Sequence, residues 1–168
     1  MASVISPPPD RREFLSPAGN FVLALDSADH WKSPRVSAEL LSVDGALRRP
    51  LWRRVLPHDK GPHRVLVSNS GAVVLIDEWT LAPSRHALVC INPDGQTLAQ
   101  YSTAQLARRL GVARKTVGAR ARRGRWLSRM PVLRADGSAV DLTAGGRLLV
   151  LQLADGGLQV ADEGATPH

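Results

Sequence analysis

Short apolar runs broken by glycine turns constrain this chain more than any other feature. Residues 21–25 (FVLAL) follow Ser16-Pro17-Ala18-Gly19-Asn20, and residues 39–43 and 47–56 flank Asp44-Gly45. Residues 65–67 lead into Ser68-Asn69-Ser70-Gly71, and residues 73–76 follow it. Residues 87–91 and 97–101 flank Asn92-Pro93-Asp94-Gly95. Beyond residue 130 the pattern returns around Asp136-Gly137 and Asp155-Gly156-Gly157. Glycine takes positive φ without steric cost, so Asp-Gly or Ser-Gly between apolar runs signals a β-hairpin.

The hairpins repeat weakly. Ser16-Pro17-Ala18-Gly19 recurs 52 residues later as Ser68-Asn69-Ser70-Gly71, and Asp44-Gly45 recurs 50 residues later as Asp94-Gly95. Between them, Trp31 and Pro34-Arg35 match Trp79 and Pro83-Ser84-Arg85. Two units of about 50 residues fall in the period range of propeller blades. The piece SVDGALRRPLW also resembles the Asp-Gly…Trp ending of such blades. Two units cannot close a propeller, and a small sheet or sandwich of duplicated hairpins fits the pattern equally.

Charge is concentrated in one place. The chain carries 22 Lys+Arg against 15 Asp+Glu, a net +7. Nine of those basic residues lie between Arg108 and Arg129, and no acid occurs from Gly95 to Ala135. A basic patch on a near-neutral body points to a polyanionic partner rather than a generally adhesive surface.

The same window, residues 102–126 (STAQLARRLGVARKTVGARARRGRW), is the one stretch that reads as helical. Ser102 is placed as an N-cap and Gln105 as its capping-box partner, with Tyr101 and Leu106 as a hydrophobic staple. A helix over 103–110 buries Leu106, Ala107 and Leu110 on one face and ends at Gly111 as a left-handed C′ residue. A second helix starts near Ala113 or Arg114 and includes Thr116 and Val117.

These positions resemble the helix-turn-helix family. Ala107 stands where that family has a small residue at the helix crossing, Gly111 is the turn glycine, and Val117 is the buried β-branched residue. Over residues 94–126, strand, Asp94-Gly95, strand, Tyr101-Ser102 and helix-turn-helix follow one another as in the intron-encoded nuclease repeat. In that family the module is a DNA-binding accessory, so the resemblance implies binding without cleavage. The chain departs from the family at Ala113, where Ser or Thr often caps the recognition helix, and at Arg120, where an apolar residue usually packs. Gly118 and Gly124 each weaken a second helix by roughly 1 kcal/mol relative to alanine.

The resemblance implies roles residue by residue. Arg114 and Lys115, with Ala119, would face base edges in the major groove. Ser102, Thr103, Thr116, Arg120, Arg122, Arg123 and Arg125 complete the implied nucleic-acid-binding set, the arginines on phosphates. The hairpin around Asp136-Gly137 would act as a wing, with Arg134 toward the DNA backbone.

Other groups carry weaker signals. Cys90, the only cysteine, sits in an apolar run and reads as a buried, inert thiol. His58, His63 and Asp59 in a Pro/Gly loop make a poor metal signal, and no cofactor or metal is expected. Asp77 and Glu78 are adjacent and point to opposite faces of a strand, so they do not form a catalytic carboxylate pair. Ser70 lacks the preceding glycine of a nucleophile elbow. Arg48, Arg49, Arg53 and Arg54 around Trp52 read as charges protecting an edge strand. The four tryptophans, Trp31, Trp52, Trp79 and Trp126, read as core or repeat anchors.

The expectation is therefore an α+β fold of mostly antiparallel β-hairpins, in two blade-like repeats, with one helix-turn-helix insertion. Its divisions are a disordered tail at 1–13, β-rich repeats at 14–101, the helix-turn-helix at 102–130, further hairpins at 131–161 and a frayed end at 162–168. The expected function is duplex DNA binding in a regulatory or accessory role, without enzymatic activity; RNA or an acidic protein are the other partners considered. The alternative is a propeller-like interaction protein, of inhibitor or immunity type, whose basic helices dock an acidic partner. No run has the length of a membrane helix and the start lacks a secretory signal, so a cytoplasmic location is expected.

Overall fold

The structure, a computed structural model, describes residues 6–111 and 126–161. Twelve strands in those residues form three four-stranded antiparallel sheets, each an up-and-down meander in sequence order. The first holds β1 (Arg11–Leu15), β2 (Phe21–Asp26), β3 (Ser37–Asp44) and β4 (Leu47–Val55). The second holds β5 (Pro62–Val67), β6 (Val73–Glu78), β7 (Leu88–Ile91) and β8 (Thr97–Tyr101). The third holds β9 (Val132–Leu133), β10 (Ala139–Ala144), β11 (Arg147–Gln152) and β12 (Leu158–Ala161). A single helix among the described residues, α1 (Thr103–Leu110), leaves the end of the second sheet.

Equivalent turns recur in all three sheets. Gly19, Gly71 and Gly137 each donate their N–H back three residues, to Ser16, Ser68 and Arg134, and so close the turn between the first and second strands. The first two of these turns are also bonded to each other: Ala18 N donates to Asn69 Oδ1 at 2.8 Å, and Asn20 Nδ2 donates to Asn69 O at 2.9 Å.

The sheets stack face to face in chain order. Side chains on a strand alternate between faces, and the middle sheet is apolar on both. Val73, Leu75, Val89 and Ile91 share a core with Leu23, Leu25, Ala38 and Leu40 of the first sheet. Val74, Ile76, Leu88 and Cys90 share the other core with Val140, Leu142, Leu149 and Leu151 of the third sheet. Burial on both faces explains why residues 73–76 of β6 and all of β7 read as unbroken apolar runs, whereas β4 at the edge of the first sheet is largely exposed.

The expected α+β fold with a helix-turn-helix is corrected to a mostly β fold with one short helix among the described residues. Leu106, Ala107 and Leu110, assigned above to a contact between two helices, are buried in the core shared by the second and third sheets. The apolar face that a helix-turn-helix would use to seat its partner helix is thus consumed by sheet packing. The second helix expected from Ala113 onward, with Val117, lies outside the described residues. The hairpin expected as a wing is the β9–β10 turn of the third sheet, and Arg134 pairs there with Asp141 at 3.0 Å. The expected tail also shortens, because β1 begins at Arg11 and Pro8 is buried.

Candidate functional site at the basic end of the helix

The helix is specified locally. The Ser102 side chain accepts from Gln105 N at 3.1 Å, and Gln105 Oε1 accepts from Ser102 N at 2.8 Å, completing the capping box. Gly111 ends the helix at φ +69°, its N–H directed to the carbonyls of Ala107 and Arg108. Arg108 and Arg109 occupy the last turn, where cations complement the partial negative charge of the helix C-terminus.

The fold brings further groups to this end. Tyr101, Gln105, Arg108 and Arg109 line a shallow surface notch. The Arg109 guanidinium lies 5.3 Å from the Tyr101 ring centroid and donates to Leu158 O at 2.9 Å. The Arg147 guanidinium stands beside Gly111, 3.4 Å from where a Cβ would be. Arg108, Arg109 and Arg147 are exposed, and among the described residues none of them makes an ion pair. Sequence alone does not pair Arg147 with α1; only the β10–β11 hairpin places it there.

The residues singled out from sequence divide sharply. Ser102 is the helix cap. Thr103 is buried, donates through Oγ1 to Ser84 O at 3.3 Å and accepts from Ser84 N at 2.9 Å, so it faces the protein interior. Arg114, Lys115, Thr116, Arg120, Arg122, Arg123 and Arg125, with Ala119, lie outside the described residues. That stretch leaves α1 at Gly111 and returns at Trp126, which is buried and donates its indole N–H to the Asp77 carboxylate.

The remaining titratable groups are engaged in structure. Burial pushes Asp77 up to about 7, against the Trp126 hydrogen bond. Glu78 is also raised by burial, although it accepts from Ser84 Oγ and Asp59 N, each at 2.8 Å. Asp77 and Glu78 therefore serve different partners. His58 is buried against His86 and is pushed down to about 4, first by desolvation. His63 lies against Trp79 instead, the rings tilted 43° with centroids 5.6 Å apart, and Asp59 supplies its backbone N–H to Glu78, so the three loop residues diverge. Among the described residues no three metal-capable side chains converge. Burial pushes the Cys90 thiol up to about 11. Ser70 and Ser68 bond each other within their turn.

No protein-family model matches the chain, and neither the curated proteins nor the solved structures contain a match to it. No helix among the described residues is long and apolar enough to cross a membrane.

Proposed function

We propose that this chain is a non-enzymatic binding module that holds an acidic protein partner on the basic end of α1. The observation that carries this reading is the Arg108–Arg109–Arg147 cluster beside the Tyr101/Gln105 notch, exposed and without an ion pair among the described residues. Arginine presents a planar fork matched to carboxylates. The notch offers one such fork next to an amide donor and an aromatic rim, suited to a Glu or Asp side chain. The adjoining stretch 112–125 adds Arg114, Lys115, Arg120, Arg122, Arg123 and Arg125 and contains no acid, so its charge reinforces the same preference. α1 buries its apolar face, so its last turn and charged edge remain outward for a partner.

Anisotropy titrations of labelled poly-glutamate and labelled duplex DNA, each over a range of salt, test the reading. The expected result is poly-glutamate binding at low salt that weakens at least tenfold in an Arg108→Ala/Arg109→Ala/Arg147→Ala variant. Binding of DNA alone, or unchanged poly-glutamate binding by the variant, would overturn it.

A further inference from the structure

Residues Ser6–Pro9 do not hang loose. They meet the β2–β3 and β6–β7 connections, where two tryptophans receive them. Trp31 Nε1 donates to Pro8 O at 2.8 Å, and Trp79 Nε1 donates to Ser6 O at 2.8 Å. The two accepting carbonyls are two residues apart, and Pro8 is buried. No side chain of Ser6–Pro9 takes part in a hydrogen bond among the described residues, so the two indole donors bond only to its carbonyls.

The receiving site is built at a cost. His30 and Trp31 are consecutive non-glycine residues at φ +54° and +62°, in the left-handed region. Such strain clusters at ligand clamps. Trp31 is fixed in that conformation by its N–H to Ser27 Oγ at 2.9 Å, and His30 is tied to Asp10. At the other tryptophan the Arg12 guanidinium lies 5.0 Å from the Trp79 ring centroid, and the His63 ring centroid lies 5.6 Å from it.

Proline-rich chain is recognised in this manner. A polyproline II segment has no internal hydrogen bonds, exposes its carbonyls and loses little entropy on docking, and aromatic grooves take it by ring contact and indole N–H donation. We propose that Trp31 and Trp79 form a clamp for a proline-rich extended segment, filled here by the chain's own Ser6–Pro9 and exchangeable for such a segment of a partner. The tether gives the chain's own segment an effective concentration in the millimolar range, so an incoming segment competes on those terms. The clamp shares no residue with the arginine cluster, and the two sites are tested separately.

The test follows the two indole N–H resonances of the full chain by NMR during titration with the peptide Ser-Pro-Pro-Pro-Asp. The Trp31 and Trp79 signals are expected to shift saturably, while those of Trp52 and Trp126 stay in place. A full-length Pro8→Gly variant, which weakens the internal ligand, is expected to bind the peptide at least tenfold more tightly. Trp31→Phe, which keeps a ring and loses the donor, is expected to lose binding while retaining the remaining spectrum. A peptide with alanine for the three prolines is expected to leave the signals unchanged. No shift in Pro8→Gly at millimolar peptide, or an equal response to the alanine peptide, would overturn the proposal.

Discussion

The indole of Trp52 closes over Gly95, its Cγ 2.8 Å from where a Cβ on that glycine would stand. Arg54 clamps the same turn, donating to Gly95 O and Thr97 Oγ1, both at 3.0 Å. The third sheet repeats the arrangement: Gly156 sits 2.6 Å, on the same measure, from Ala99 Cβ, and the Tyr101 hydroxyl donates to Gly156 O at 2.7 Å. In both cases the turn after a sheet's third strand rests on the fourth strand of the sheet before it.

Gly95→Ala is therefore expected to destabilise the chain by about 2–4 kcal/mol, from the left-handed φ of +88° together with the clash against Trp52. Gly19→Ala, also at positive φ but with nothing within 4 Å, is expected to cost only about 1–2 kcal/mol. Urea unfolding of both variants checks the order. Equal costs would mean that the Trp52 contact contributes nothing.

Stability should depend on pH through Asp77. Its folded pKa, about 7, stands above its ordinary value of 3.8, so the folded chain holds the proton that the unfolded chain has released. Stability from this group is present below pH 4 and declines as pH rises toward 7. Glu78, also raised, acts in the same direction. His58, lowered from 6.5 to about 4, acts oppositely: its contribution is present above pH 6.5 and is lost as pH falls toward 4. Asp77→Asn keeps an oxygen for the Trp126 indole and tolerates φ +60°. The variant is expected to match the parent near pH 4 and to exceed it by about 2–4 kcal/mol at pH 8 in urea unfolding. A parent more stable than the variant at pH 8 would contradict the assignment.

Ser102 and Thr103 are expected to act on stability. Ser102→Ala removes the cap and should cost about 1 kcal/mol. Thr103→Val leaves Ser84 N without its acceptor, while Ser84 O keeps the Thr103 backbone N–H, and should cost about 1–3 kcal/mol. Thermal unfolding beside a poly-glutamate titration separates the roles. A Thr103→Val variant that keeps its stability and loses binding would make Thr103 a ligand contact.

Much of the local structure was legible in the sequence because it is set by neighbouring residues. The capping box of Ser102 and Gln105, the left-handed Gly111 and the hairpin at Asp44-Gly45 all depend on positions a few residues apart. What α1 packs against depends on residues far away. Leu106, Ala107 and Leu110 have the spacing of any amphipathic helix, and that spacing fits a second helix as well as two sheets. The hairpins beyond residue 130 were legible, but not that they make a third sheet equivalent to the first two: the turn Arg134-Ala135-Asp136-Gly137 lacks the Ser of the first two and follows an insertion that breaks the 50-residue period. The docking of Ser6–Pro9 on Trp31 and Trp79 had no local signal, since it joins residues up to 73 positions apart.

The most direct measurement of the proposed binding surface is hydrogen–deuterium exchange of the chain with and without saturating poly-glutamate at low salt. Added protection is expected in α1 (Thr103–Leu110) and around Arg147, with β1 to β4 unchanged. Protection confined to the first sheet, or none at saturation, would contradict the assignment of the partner to the basic end of the helix.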